Sequence, residues 1–167
     1  NQGIFSLSFK SQISKNGLII CIEPFDYANK KIEENFKLNN FSNYLIYKKI
    51  LSNHNNKSKI FYSDHITDAS IINNKFKKSK LTSSITIDKI VKLNNLKKLK
   101  LIKLDIEGAE FLAIKGGIKS IKKFKPLIYL EINNEKLFYL IINYMKKLKY
   151  KTYVFTKKGV LKKINKL

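Results

Sequence analysis

The sequence contains no arginine: all 34 of its basic residues are lysine. Arginine makes the bidentate contacts to guanine and phosphate, so its absence counts against a surface evolved to read bases. Acidic residues are also few, 12 in all, which leaves a formal charge of +22. Such a charge attracts phosphate polyanions through counterion release. Yet lysine, asparagine, isoleucine, phenylalanine and tyrosine all have AT-rich codons, so the bias is read as genomic and the lysines as solubilising. The single cysteine, Cys21, excludes a disulfide within the chain, and its place in Leu18-Ile19-Ile20-Cys21-Ile22 is that of a small buried hydrophobe. No apolar run approaches the roughly 20 residues of a membrane-spanning helix, and nothing near Asn1 reads as a signal peptide. A cytoplasmic enzyme fits these absences best.

What is present favours one folded domain over residues 1–167. The hydrophobic fraction of 44% and aromatic fraction of 12% exceed what disordered chains carry, and 167 residues suffice for a single core. Apolar spacing predicts a helix from Ile4 to Ile13, stopped at Asn16-Gly17, then a buried strand over Leu18 to Glu23. Pro24 opens a second helix that carries Tyr27, Ile32, Phe36 and Leu38. Tyr44 to Ser52 reads as one strand, Asn53 to Lys59 as a polar turn, and Ile60 to Ser63 as another strand. Asp64 to Lys80 has no clean period and reads as a loop or short helix. Ser83 to Ile87 suggests a short strand and Asp88 to Leu96 a helix capped by Asp88. A buried strand over Leu99 to Ile106 leads through Glu107-Gly108 into a helix from Ala109 to Lys123, with Phe111, Ile114, Ile118 and Ile121 on one face. Leu127 to Ile132 is a further strand, and Glu135 to Leu148 a helix with Leu137, Leu140, Ile141, Tyr144 and Met145 inward. A C-terminal β-hairpin closes around Lys157-Lys158-Gly159. Alternating strands and helices imply an α/β fold with a mostly parallel sheet.

Ligands of open parallel sheets bind beyond the carboxyl ends of the strands, and three strands here end in acids. Glu23 closes the first, Asp105 with Glu107 the central one, and Glu131 the next. Glu23 follows Gly3 by 20 residues, the offset at which an acid after a glycine turn meets ribose hydroxyls. Its alternative is a plain turn acid ahead of a helix N-terminus. Asp105 lies between Leu104 and Ile106, where an ionised carboxylate needs partners. Asp105, Glu107 and Glu110 either form a site or complement the next helix dipole, with Lys103 as an ion-pair partner. His65, in Asp64-His65-Ile66-Thr67-Asp68, is a base candidate or an exposed loop residue. No zinc-site spacing occurs, and no structural metal is expected.

The run Lys103-Leu104-Asp105-Ile106-Glu107-Gly108-Ala109-Glu110 carries the most specific signal. With Ile87-Asp88-Lys89-Ile90-Val91 before it, and Lys115-Gly116-Gly117, Pro126 and Glu131 after it, it resembles the K-x-D-x-E-G-x-E pattern of the FkbM methyltransferases, which depend on S-adenosylmethionine. Ile22-Glu23-Pro24 with Asn35 and Asn39 resembles that family's E-P segment. Asn1-Gln2-Gly3 is similar to the tail of its cofactor loop, D-x-G-A-N-x-G. The resemblance implies a Rossmann-like class I methyltransferase sheet with flanking helices, its first strand missing. It implies Asn1 and Gly3 beside the methionine part of S-adenosylmethionine, Glu23 with Pro24 at the ribose, and Ser52 and Asn53 near the adenine. Asp105, Glu107 and Glu110 would line the reaction side. Asp105 would be the base or acceptor orienter, with Glu131 and His65 behind it. The implied reaction is methyl transfer, usually to an oxygen of a small molecule or glycan. The central place of the missing strand further implies that the chain as given binds cofactor weakly.

Two other functional classes stay open. A single-stranded nucleic-acid module would use the positive charge with the nine tyrosines and eleven phenylalanines, although only stretches such as Tyr150 to Lys158 interleave rings with lysines. A dinucleotide-dependent oxidoreductase would use the same acid after the glycine turn, and the K-x-D-x-E-G-x-E run disfavours it.

Overall fold

The computed structural model describes residues 2–14, 17–63, 69–72, 76–156 and 158–164. The chain is α/β, as expected, but among the described residues its strands form four small sheets in place of one continuous sheet. Strand β1 (Ile19–Ile22) pairs in parallel with β2 (Tyr44–Tyr47), and β7 (Leu101–Leu104) pairs in parallel with β8 (Leu127–Leu130). Neither β1 nor β7 has a second strand neighbour among the described residues. A four-stranded mixed sheet runs in the order β3 (Ile50–Leu51), β6 (Lys78–Ile85), β4 (Lys57–Tyr62), β5 (Ala69–Ser70). The expected hairpin, β9 (Tyr153–Phe155) with β10 (Leu161–Lys163), is present.

Helix α1 (Ile4–Ser8) is short and passes into a 3-10 turn at Lys10–Gln12. It lies across the space between the two parallel pairs. Phe5 stacks on Tyr129 of β8 at 5.6 Å, and the Ser6 hydroxyl meets the Cys21 thiol of β1 at 3.8 Å. Helix α2 (Asp26–Leu38) buries Ala28, Asn29, Ile32 and Phe36, whereas Tyr27 and Leu38 are exposed. The buried set keeps the 3–4 residue spacing of a single helix face, which Tyr27 and Leu38 do not share. Helix α6 (Glu135–Lys147) likewise buries Ile141, Ile142 and Met145, with Leu137 and Tyr144 partly covered and Leu140 turned outward.

The expected strand over Tyr44 to Ser52 is broken in two. A tight turn, with the Lys49 amide donating to the Tyr47 carbonyl at 2.8 Å, ends the pairing with β1 and redirects β3 against β6. The strand expected from Ser83 begins five residues earlier, because the polar Lys78 to Thr82 run forms an antiparallel ladder with β4. That ladder also takes up Lys57 to Lys59 of the expected turn.

The single helix expected over Ala109 to Lys123 is two, α4 (Glu110–Gly116) and α5 (Ile118–Phe124), separated at Gly117. Asp88 does not cap its own helix. Thr86 does so for α3 (Ile87–Leu93), accepting from the Lys89 amide, while Asp88 reaches the start of α5. There its carboxylate accepts from the Lys119 and Ser120 amides and the Ser120 hydroxyl. A new helix start at Gly117 exposes fresh amides that need an acceptor, and Asp88 supplies it.

One core, built on Leu104, Ala113, Ile114, Ile121, Ile141 and Met145, receives Ile20 and Ile22 of β1 as well as Ile128 and Leu130 of β8. Both parallel pairs therefore pack on the same apolar centre. Among the described residues no helix is long and apolar enough to cross a membrane.

Candidate active site

The end of β1 turns sharply at Glu23-Pro24. One carboxylate oxygen of Glu23 accepts from the Phe25 amide at 3.0 Å, and the Glu23 carbonyl accepts from the Asn29 side-chain amide. The other side of the turn is fastened by Lys80 of β6, whose ammonium donates to the Pro24 carbonyl at 2.7 Å and lies 4.4 Å from the Phe25 ring centroid. Among the described residues the buried Asn29 Oδ1 has no hydrogen-bond partner. A carboxylate is an acceptor-only group with two oxygens, the chemistry that suits the two hydroxyls of a vicinal diol. Lys80 was not legible in the sequence, because only the unforeseen β4–β6 ladder carries it to this turn.

Gly3 stands at φ 79° as α1 begins, a left-handed conformation that glycine adopts without steric cost. A Cβ there would meet the Phe36 ring at 3.2 Å and Ile32 at 3.4 Å, so the bare backbone lets α1 settle on α2. The Asn35 side-chain amide adds a bond to the Gln2 carbonyl at 2.8 Å. Asn1 and His65 lie outside the described residues.

At the end of β7, Lys103 and Asp105 form an ion pair at 2.8 Å through Oδ2. The Lys103 ammonium also sits 4.9 Å from the Phe5 ring centroid and 6.0 Å from that of Tyr129. Residues two apart on a strand share a face, which brings ammonium and carboxylate together there. The Asp105 Oδ1 oxygen has no partner among the described residues. Glu107 and Gly108 then take positive φ, 51° and 97°, making a tight left-handed turn into α4. Two buried groups hold that turn. The Ser70 hydroxyl donates to the Glu107 carbonyl at 2.7 Å, and Glu110 Oε1 accepts from the Ile106 amide at 3.0 Å and the Gly108 amide at 3.3 Å.

These contacts separate the acids by role. Glu107 is exposed, Asp105 half-buried, and Glu110 only 1% exposed. The geometry makes Glu110 the clasp of the turn, while Asp105 and Glu107 face outward. Glu131 is exposed, and its amide donates to the Leu104 carbonyl at 3.0 Å, which sets it beside Asp105 where β7 and β8 end. Asp105 and Glu131 thus end neighbouring strands, while Glu107 stands on the turn that follows Asp105. Ser70, in the segment that read as a loop or short helix, is the residue of this turn that sequence reasoning missed.

Ser52 and Asn53 lie elsewhere. Ser52 is fully buried and Asn53 exposed, and their backbone abuts the far end of α4, a helix length from Glu110. A Cβ on Gly116 would fall 2.2 Å from the Ser52 carbonyl oxygen. Of this pair only Asn53 offers surface to a ligand. Burial pushes the Cys21 thiol above its usual range, partly opposed by the Ser6 hydroxyl, so it is not poised as a nucleophile. Among the described residues no group of three His, Cys, Asp or Glu could hold a metal ion.

A family model described as the methyltransferase FkbM domain matches residues 1–152. The crystal structure of methyltransferase FkbM from Methylobacillus flagellatus KT aligns with a TM-score of 0.61 at 18% identity, over 90% of this chain and 36% of that one. The chain therefore spans little more than a third of that protein's length. No curated protein matches.

Proposed function

Because the chain belongs to the FkbM methyltransferase family, we propose that it transfers a methyl group from S-adenosylmethionine to a hydroxyl oxygen of a sugar, glycan or other small molecule. The observation that carries this reading is the pair of acid-bearing strand ends, Glu23 after β1 and Asp105 after β7, on strands packed over one core and bridged by α1. In the proposed assignment the two parallel pairs are the halves of a Rossmann-like sheet.

The residues present fit that cofactor by the chemistry of their donor set. Glu23 would hold the ribose hydroxyls, with Pro24 and the Lys80 contact fixing the turn that aims it. Gly3 would bring backbone close to the methionine part, and Asn53 would lie toward the adenine. When bound, S-adenosylmethionine supplies a sulfonium-activated methyl group open to in-line displacement by a nucleophilic oxygen. For such a displacement the protein mainly contributes proximity and a proton acceptor. Asp105 takes that part. Its Oδ2 is held by Lys103, which fixes the carboxylate, and its Oδ1 is left to receive or orient an acceptor hydroxyl. Glu107 and Glu131 would suit a polyhydroxylated acceptor, and Glu110 keeps the turn in shape.

Equilibrium dialysis of the full-length protein with labelled S-adenosylmethionine tests the cofactor class. S-adenosylhomocysteine is expected to displace the label and NAD to leave it in place. Displacement by NAD alone would turn the assignment to an oxidoreductase.

A further inference from the structure

The C-terminal hairpin meets the proposed site only through the edge of Phe155 against Tyr129, at 6.2 Å between ring centroids, and carries an unusual surface. The register sets Phe155 directly opposite Leu161 and Tyr153 opposite Lys163. Residues two apart on a strand point the same way, so Tyr153, Phe155, Leu161 and Lys163 share one face. Tyr153, Phe155 and Leu161 are 51%, 60% and 56% exposed, and Val160 beside them is 61% exposed. All three residues of β10 are exposed, so the strand is covered on neither face. Isolated exposed apolar residues need no explanation, but four on one short hairpin mark a contact surface.

The charge of the hairpin indicates its partner. Lys162 and Lys163 stand exposed in β10 and Lys158 in the turn, and residues 136–167 contain no acidic residue. We propose that the hairpin docks the chain on an anionic lipid bilayer, with Tyr153, Phe155 and Leu161 entering the headgroup boundary and the lysines meeting lipid phosphates and carboxylates. Tyrosine and phenylalanine settle at that boundary, aliphatic side chains gain from leaving water there, and lysine stems reach up to the headgroups. Single-stranded nucleic acid fits less well. Stacking platforms use rings free to receive a base, whereas Leu161 on this face has no π-face and the Phe155 ring already meets Tyr129.

The test is co-sedimentation of the full chain with phosphatidylcholine vesicles, with and without roughly 30 mol % phosphatidylserine, at about 0.15 M salt. A chain of this charge is drawn weakly to any anionic vesicle, so the deciding variant removes apolar surface and leaves charge unchanged. Phe155→Ser with Leu161→Ser is expected to raise the lipid concentration for half-binding about tenfold or more. Leu81→Ser, at another exposed apolar position, is expected to change it less than about twofold. The substituted side chains are exposed, and circular dichroism will verify that the variants fold. Equal binding by the hairpin variant and the parent overturns the proposal. So do an equal loss in Leu81→Ser, an absence of vesicle binding, and hairpin-dependent binding of a single-stranded oligonucleotide in place of vesicles.

Discussion

Gly116→Ala is expected to lower the free energy of unfolding by about 3 kcal/mol and the melting temperature by about 6–12 °C. In most helices this change would be favourable, since alanine exceeds glycine in helix propensity by about 0.8–1.0 kcal/mol. Here the new Cβ would fall 2.2 Å from the Ser52 carbonyl oxygen and 3.0 Å from the Asn53 Cα. Both are backbone atoms, which cannot swing aside as the end of a side chain can. Either α4 withdraws from the Ser52-Asn53 turn or the turn itself moves, and each breaks packing around Ile114, which is fully buried one turn away. Gly117→Ala is the instructive comparison. Its Cβ would press on Ile87 side-chain atoms at 2.9–3.2 Å, a neighbour with some freedom to give, so its cost is expected to be smaller. Thermal denaturation of the two variants side by side measures the difference. A Gly116→Ala protein as stable as its parent would show that α4 and the Ser52 turn do not touch as described.

Asp105→Asn is expected to reduce methyl transfer by about 10²–10⁴-fold while leaving S-adenosylhomocysteine affinity within about threefold of the parent. The amide keeps the shape of the carboxylate but cannot take up a proton, and it gives up the ion pair with Lys103. Glu107→Gln, at the exposed position two residues on, is expected to act mainly through acceptor KM. The comparison uses the acceptor found by screening glycans and small hydroxyl compounds with methyl-labelled cofactor. Retention of near-parental turnover by Asp105→Asn would remove Asp105 from the chemistry. Loss of cofactor affinity in step with turnover would assign it to binding.

Much of this architecture was legible in the sequence because burial writes a periodic signal. The strands at Ile19–Ile22 and Leu127–Leu130 are continuous apolar runs, Leu101–Leu104 is apolar apart from Lys103, and α6 has a clear apolar face. Where the signal failed, a backbone event or a long-range contact had replaced it. Nothing in Tyr44 to Ser52 betrays the turn at Lys49 that splits the run between two sheets. The polar Lys78 to Thr82 segment has little apolar alternation to announce a strand, yet its ladder with β4 is what carries Lys80 to the Glu23 turn. Asp88 sits where an N-cap belongs, and only the break at Gly117 gives it different amides to satisfy.

The acids show the same division. The cluster of Asp105, Glu107 and Glu110 is visible as a motif, but their separate tasks depend on which side chain folds back. Glu110 does so because the left-handed turn at Glu107-Gly108 points two amides inward, and their acceptor must come from the first turn of α4. Ser70 closes the turn from a distance of 37 residues, which no local pattern encodes.

The central claim is that Glu23, at the carboxyl end of β1, anchors the cofactor. Calorimetric titration of S-adenosylhomocysteine into the full-length polypeptide, beside its Glu23→Ala variant, tests it most directly. Micromolar binding by the parent, weakened at least about tenfold in a folded variant, is the predicted result, a loss of about 1.4 kcal/mol or more. Binding that is absent from a folded parent, or unchanged by the substitution, would contradict the account.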